Sequence, residues 1–475
     1  MQVAGPSTRR FSSAFFSERP AAIFALLALV FGAATIAAAP PLRGPDESAH
    51  FVRAYGFAHG QFIPRLTDEA GRKGLMLPAP LAADVGFFNA FRHGGAEYGG
   101  FRGVFAEHAR RREQHAAAVG QPDVFWLYEG GEAYSPVSYL PAIAAIWVAQ
   151  LAKLGFLATL YLMRAASLLA YTAVTAVAIA RVPYLPWAFV AIAMLPSSIY
   201  GRSVVSADGA ALATCLTVTA LALRAAAGWA GGAWRRSLWM ALCALAKPPQ
   251  LAFVLLEAMA RPWRDRRHWR VAALAVVPAL VLLPLWIALI GAEMGAWRLY
   301  GEGWGRPEEF NALWKLRYLL EHPLHFPSAV RVSLDYAPEL WRQGIGVLGW
   351  LDVRLRAWAY PAIAALLACA LLQHLPLDRA TRTRVGLVAA AVALGYVVAV
   401  FLIFYLTSTP VVSPRVEGVQ GRYFTVALAP AAIALAAFLP RGLPVAVLAG
   451  SALALALLSG LATIEALLRA DWLTR

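Results

Sequence analysis

The sequence predicts an all-α polytopic membrane protein, and three observations predict it. Of its 475 residues, 60% are hydrophobic and only 15% are charged. Apolar runs of roughly 20 residues recur from end to end, long enough to cross a hydrocarbon core of about 30 Å as helices. Much of the excess Lys and Arg sits in short loops between those runs, where the positive-inside rule puts it. A transmembrane β-barrel would instead alternate apolar and polar residues in strands of about 10 residues. The net charge of +15 is therefore a topology signal and no nucleic-acid footprint. Cys215, Cys243 and Cys369 lie in apolar segments, with neither metal spacing nor a disulfide framework. The chain, 1–475, reads as one integral membrane domain.

Arg9, Arg10 and Arg19 precede the first apolar run, 21–39, which is longer than a signal-peptide core. It reads as a retained span leaving the cytoplasm. The next segment, 40–134, is then the first extracytoplasmic loop. Its acidic and basic residues nearly balance and its aromatics argue against disorder, so short helices on the membrane surface are expected. Spans follow at about 137–154 and 161–180, and a fourth from about 187 reaches Arg202 and Asp208. A fifth ends near 227. The run 237–260 carries Lys247 before Pro248 and Pro249, which prevent a regular helix. Segment 261–270, with five arginines and one aspartate, is cytoplasmic. A span at 271–290 leads to a second long, charge-balanced loop, 291–356, expected outside. Spans at 357–375, up to 406, up to 439 and 444–467 complete a set of about eleven.

The stretch PDESAHFVRAYGF, 45–57, emerges directly after the first span. Pro45 suits the first turn of a helix, and the helix dipole favours negative charge at Asp46 and Glu47. At helical spacing Asp46, His50, Arg53 and Phe57 share a stripe. A second polar cluster, Tyr134 to Tyr139, leads into the second span. A third, VEGVQGRYF at 416–424, precedes a late span; Gly418 and Gly421 permit tight turns and close approach. Gln420, Arg422 and Tyr423 follow from it as candidates, Arg422 carrying a planar fork of donors suited to phosphate. Arg202, Asp208 and Lys247, ionisable groups at membrane depth, should face a cavity or one another.

A carboxylate at one rim and an arginine at the other suit glycosyl transfer from a lipid phosphate. The carboxylate takes the proton of the attacking hydroxyl, and the guanidinium stabilises charge on the departing phosphate. Asp46 or Glu47 is the candidate base and His50 its orienting partner. Arg422, with Arg53, is the candidate phosphate clamp, and Tyr134 and Tyr139 are candidate wall residues. No P-loop, dinucleotide fingerprint or internal repeat occurs.

PDESAHFVRAYGFAHG, the Tyr/Pro-rich approach to the second span and GVQGRYF together resemble a bacterial membrane-protein family catalogued as domain of unknown function 2142, over about residues 40–439. That family resembles the GT-C superfamily of integral membrane glycosyltransferases. The resemblance implies an acidic base just after the first span, a position Asp46 matches, and a polyprenyl-phosphate sugar donor. The acceptor would be a cell-envelope glycan, lipid or protein, and the location the bacterial inner membrane, multi-pass, with a cytoplasmic N-terminus. No cofactor is expected; a divalent metal would find at most two close acidic ligands. The rival reading is a transporter or flippase of a lipid-linked or small anionic substrate, in which Lys247, Arg202 and Asp208 would mark the path.

Overall fold

A computed structural model of the chain describes residues 19–69, 71–116, 120–229, 232–260, 266–290 and 307–473. Arg9 and Arg10, the basic segment 261–265 and the first part of the second long loop, 291–306, lie outside the described residues.

The protein is mostly helical, as its apolar runs require. Among the described residues seven helices are long and apolar enough to cross a membrane, including Pro20–Ala38, Phe156–Arg181, Asp208–Ala226, Arg379–Ser408 and Gly421–Phe438. Among the described residues the other four of the eleven expected spans are shorter or broken. The expected spans near 137–154 and 357–375 are shorter apolar helices, Pro136–Leu151 and Ala359–Leu371. Two others are interrupted. The fourth splits into Pro186–Ala193 and Pro196–Ser203, because Pro196 cannot donate into a continuing helix. The sixth stops at Ala246. Lys247 is extended (φ −151°, ψ 131°), as a residue before proline must be, and a 3₁₀ helix, Pro248–Met259, resumes.

The spanning helices bury one face in a large apolar core that includes Phe24, Trp187, Phe253 and Tyr396. Small residues let helices approach: Gly460 faces the Phe31 ring at a distance that leaves no room for a Cβ. The first long loop is more than a set of surface helices. It forms its own core from Phe51, Phe57, Leu75, Phe88 and Phe101, packed on Ile143 and Leu160. It also contains an unexpected two-stranded antiparallel ladder, Gly74–Leu77 with Val124–Leu127. A second short ladder pairs Val347–Leu348 with Val353–Arg354. The two long loops touch each other: Arg43 pairs with Asp352 at 2.8 Å, and the Trp350 indole donates to the Leu42 carbonyl at 3.4 Å.

The helix expected from Pro45 begins at Glu47 and runs to Ala58. Asp46 caps it from outside, in a left-handed conformation (φ 54°) that is uncommon for any residue but glycine. That turn separates Asp46 from Glu47.

Candidate active site: an ionic cavity between the first loop and the late 3₁₀ turn

Asp46, His50, Tyr134, Lys247, Gln420 and Tyr423 line one cavity of about 440 Å³. Three of them, with Arg422 beside them, arrive by local irregularities. Asp46 comes from the left-handed turn before helix Glu47–Ala58. Lys247 comes from the proline break. Tyr423 and Arg422 come from the 3₁₀ turn Gly421–Ala427. That turn is set by Gly418, at φ 78°, and by Gly421, which lies so close to the Leu340 carbonyl that a Cβ would not fit.

Four charges form a chain at the cavity. Arg422 Nη2 donates to Asp46 Oδ2 at 3.2 Å, and its Nε lies 3.6 Å from Asp208 Oδ2. Asp208 in turn binds Lys247, whose ammonium sits 4.6 Å from the Tyr423 ring centroid. Two cations meet two carboxylates, so the cluster is neutral as a set. Its burial is uneven: the Asp46 side chain is 44% exposed, against 11% for Arg422.

His50 Nδ1 and the Tyr139 hydroxyl share a hydrogen bond of 2.6 Å, and Tyr134 packs edge-on against the imidazole at 5.1 Å. Burial pushes the His50 pKa down to about 4, the nearby Asp46 and Asp208 charges opposing it. The imidazole is therefore neutral at pH 7. Burial likewise pushes the Tyr134 phenol up, keeping it a hydrogen-bond donor. Gln420 Oε1 is buried without a hydrogen-bond partner among the described residues, an acceptor open to a ligand hydroxyl.

Tyr139, Asp208 and Arg422 contact residues of the cavity wall without lining it themselves, and three more sequence candidates lie elsewhere. Glu47 is fully buried. Its carboxylate accepts from Arg164 at 2.6 and 2.8 Å, from the Gly44 N–H at 3.0 Å and from the Val205 N–H at 2.9 Å. With every lone pair engaged it has no acceptor site to spare for a substrate. Arg53 donates to the Phe62 carbonyl at 2.9 Å and covers the Phe57 ring at 4.0 Å; it props the loop and does not line the cavity. Arg202 donates to the Ala193 carbonyl at 2.7 Å and lies over the Phe24 ring. It is not the partner of Asp208, whose cations are Lys247 and Arg422.

Glu129 lines the cavity too, in a left-handed conformation (φ 48°), accepting from Ser48 Oγ at 3.4 Å. Desolvation raises its carboxyl above the usual range. Sequence reasoning missed it; the adjoining glycines of EGGE, 129–132, were the available sign of a tight turn. Among the described residues no group of three or more His, Cys, Asp or Glu gathers closely enough to hold a metal ion. A second cavity of about 440 Å³, between Leu340, Leu367, Phe401 and Phe424, has no ionisable group among the described residues of its wall.

Fold and site together define a multi-pass α-helical membrane protein with an ionic cavity where a loop meets broken helices. The chain belongs to the family of predicted membrane proteins DUF2142, which matches residues 29–432. No curated protein and no solved structure matches it.

Proposed function

We propose that this protein is a GT-C-like glycosyltransferase of the bacterial inner membrane. It would move a sugar from a polyprenyl-phosphate donor to a cell-envelope glycan, lipid or protein on the extracytoplasmic side. The observation that carries the reading is the Asp46–Arg422 pair at 3.2 Å, in which a guanidinium from the late 3₁₀ turn reaches a carboxylate that lines the cavity. A carboxylate beside a guanidinium is what proton removal and phosphate departure require together.

The acceptor hydroxyl gives its proton to Asp46, and its oxygen attacks the anomeric carbon. The bond from that carbon to the phosphate oxygen breaks, and polyprenyl phosphate leaves with the electron pair. Arg422 and Lys247 meet its charge. Before the donor binds, Arg422 holds Asp46; the donor phosphate draws the guanidinium away and frees the carboxylate for its task. Neutral His50, fixed by Tyr139, positions the groups around Asp46.

The test is transfer from a panel of labelled polyprenyl-phosphate sugars in inner-membrane vesicles, comparing wild type with Asp46→Asn at matched folded abundance. Transfer that collapses in the variant supports the reading; transfer unaffected by it removes Asp46 as base. A transport reading draws on Lys247 and Asp208, which pair beside two helix breaks. It expects movement of a lipid-linked substrate across the bilayer that survives Asp46→Asn.

A further inference from the structure

Helix Ala312–Glu321, in the second long loop, shows three unlike faces. One is bound to the protein. Lys315 is fully buried, and its ammonium donates to the Thr409 carbonyl at 2.7 Å. Just beyond the helix, His325 Nδ1 shares a 2.7 Å hydrogen bond with the Tyr405 hydroxyl. The second face is an aromatic row: Trp314 stacks on Tyr318 at 5.6 Å, and Tyr318 on His322 at 4.3 Å. The third is bare leucine. Leu313, Leu316 and Leu320, at i, i+3 and i+7, fall on one side; Leu313 is 63% and Leu320 84% exposed, and Leu324 beyond them is 78% exposed.

The protein-bound face fixes the depth of the other two. Thr409 is the residue that follows the spanning helix Arg379–Ser408. A helix tied to that carbonyl lies at the end of a span, in the membrane-surface region. Stacked Trp and Tyr belong at that level, apolar at one edge and polar at the other. Arg317, exposed next to the leucines, can lay its stem along the apolar surface and raise its charge to the headgroups. A helix with an apolar stripe, an anchoring polar face and interfacial aromatics is built to lie in the plane of a membrane.

We propose that the segment from Ala312 to Leu324 is an in-plane membrane platform whose partner is the headgroup–acyl boundary of one leaflet. The inference stands independently of the glycosyltransferase reading. It has one consequence for the cavity. Thr407 and Ser408, on the turn just before Thr409, line it, so that part of its wall lies near the level of the platform.

The test uses the full chain with Cys369→Ser, reconstituted in phosphatidylethanolamine–phosphatidylglycerol vesicles. An environment-sensitive fluorophore is attached at Leu320→Cys and, separately, at Glu321→Cys, which faces away from the stripe. Lipid carrying a nitroxide high on its acyl chain reports membrane contact; iodide reports water. The label at 320 should be quenched by the nitroxide and shielded from iodide several-fold more than the label at 321. Equal iodide quenching at both positions overturns the proposal. So does shielding at 320 without nitroxide quenching, which would mean that a protein surface covers the stripe. If Leu320→Cys does not fold, Leu313→Cys carries the same test.

Discussion

Asp46 and Glu47 are neighbours of the same chemistry, and the fold gives them opposite fates. Glu47 enters a closed site with Arg164, both side chains fully buried, and its oxygens also hold the Gly44 and Val205 N–H groups. Arg164 itself donates onward to the Ala39 and Pro40 carbonyls at 2.6 and 2.7 Å. This cluster staples the end of the first span to two other helices. Asp46 enters an open site, half exposed, with one hydrogen bond to Arg422. The difference comes from one backbone dihedral, the left-handed φ of Asp46. Saturated buried charges build a structure; unsaturated ones at a cavity wall remain free to do chemistry.

The comparison can be broken most forcefully at Glu47. Glu47→Gln leaves the Arg164 charge buried and uncompensated, a loss of about 3–5 kcal/mol, so folded yield in detergent should fall sharply. Asp46→Asn should leave yield near wild type, because its side chain is solvated and its pair weak. In the same preparations Asp46→Asn should lower transfer at least about 100-fold, as removal of a general base does. A smaller effect sharpens the comparison from His50. Its pKa is lowered from 6.5 to about 4 on folding, so the unfolded chain binds a proton that the folded chain refuses between those values. Stability is therefore complete above pH 6.5 and declines as the pH falls towards 4. Between pH 7 and pH 5 the decline should be about 2 kcal/mol. Thermal unfolding across that range should show it, and His50→Gln should flatten it.

Much of this was legible from the sequence, for physical reasons that also mark where legibility ended. Apolar runs place spans because the bilayer fixes their length, and proline breaks show in the sequence, so Lys247 at a helix interruption could be read directly. What phosphate chemistry needs singled out Asp46 and Arg422 as separate rim candidates, but their contact at 3.2 Å could not be read from the sequence. The partner of Asp208 could not be read. The nearest cation in sequence is Arg202, but helix Pro196–Ser203 turns it towards the Ala193 carbonyl, and Lys247 and Arg422 reach Asp208 from other elements. Nor could Glu47 be separated from Asp46, because helical spacing assumes both lie inside one helix. The strand pair Gly74–Leu77 and Val124–Leu127 escaped too: four-residue strands are too short for alternation to stand out.

The central claim is that Asp46 and the donor phosphate compete for Arg422, and binding tests it most directly. Affinity for a labelled polyprenyl phosphate would be measured for wild type, Asp46→Asn and Arg422→Gln, each as folded protein in detergent. Removing the carboxylate should tighten binding about threefold to fivefold, the worth of a solvent-accessible ion pair of up to about 1 kcal/mol. Arg422→Gln should weaken it at least about tenfold. Asp46→Asn binding that is unchanged or weaker, or Arg422→Gln binding equal to wild type, would contradict the account.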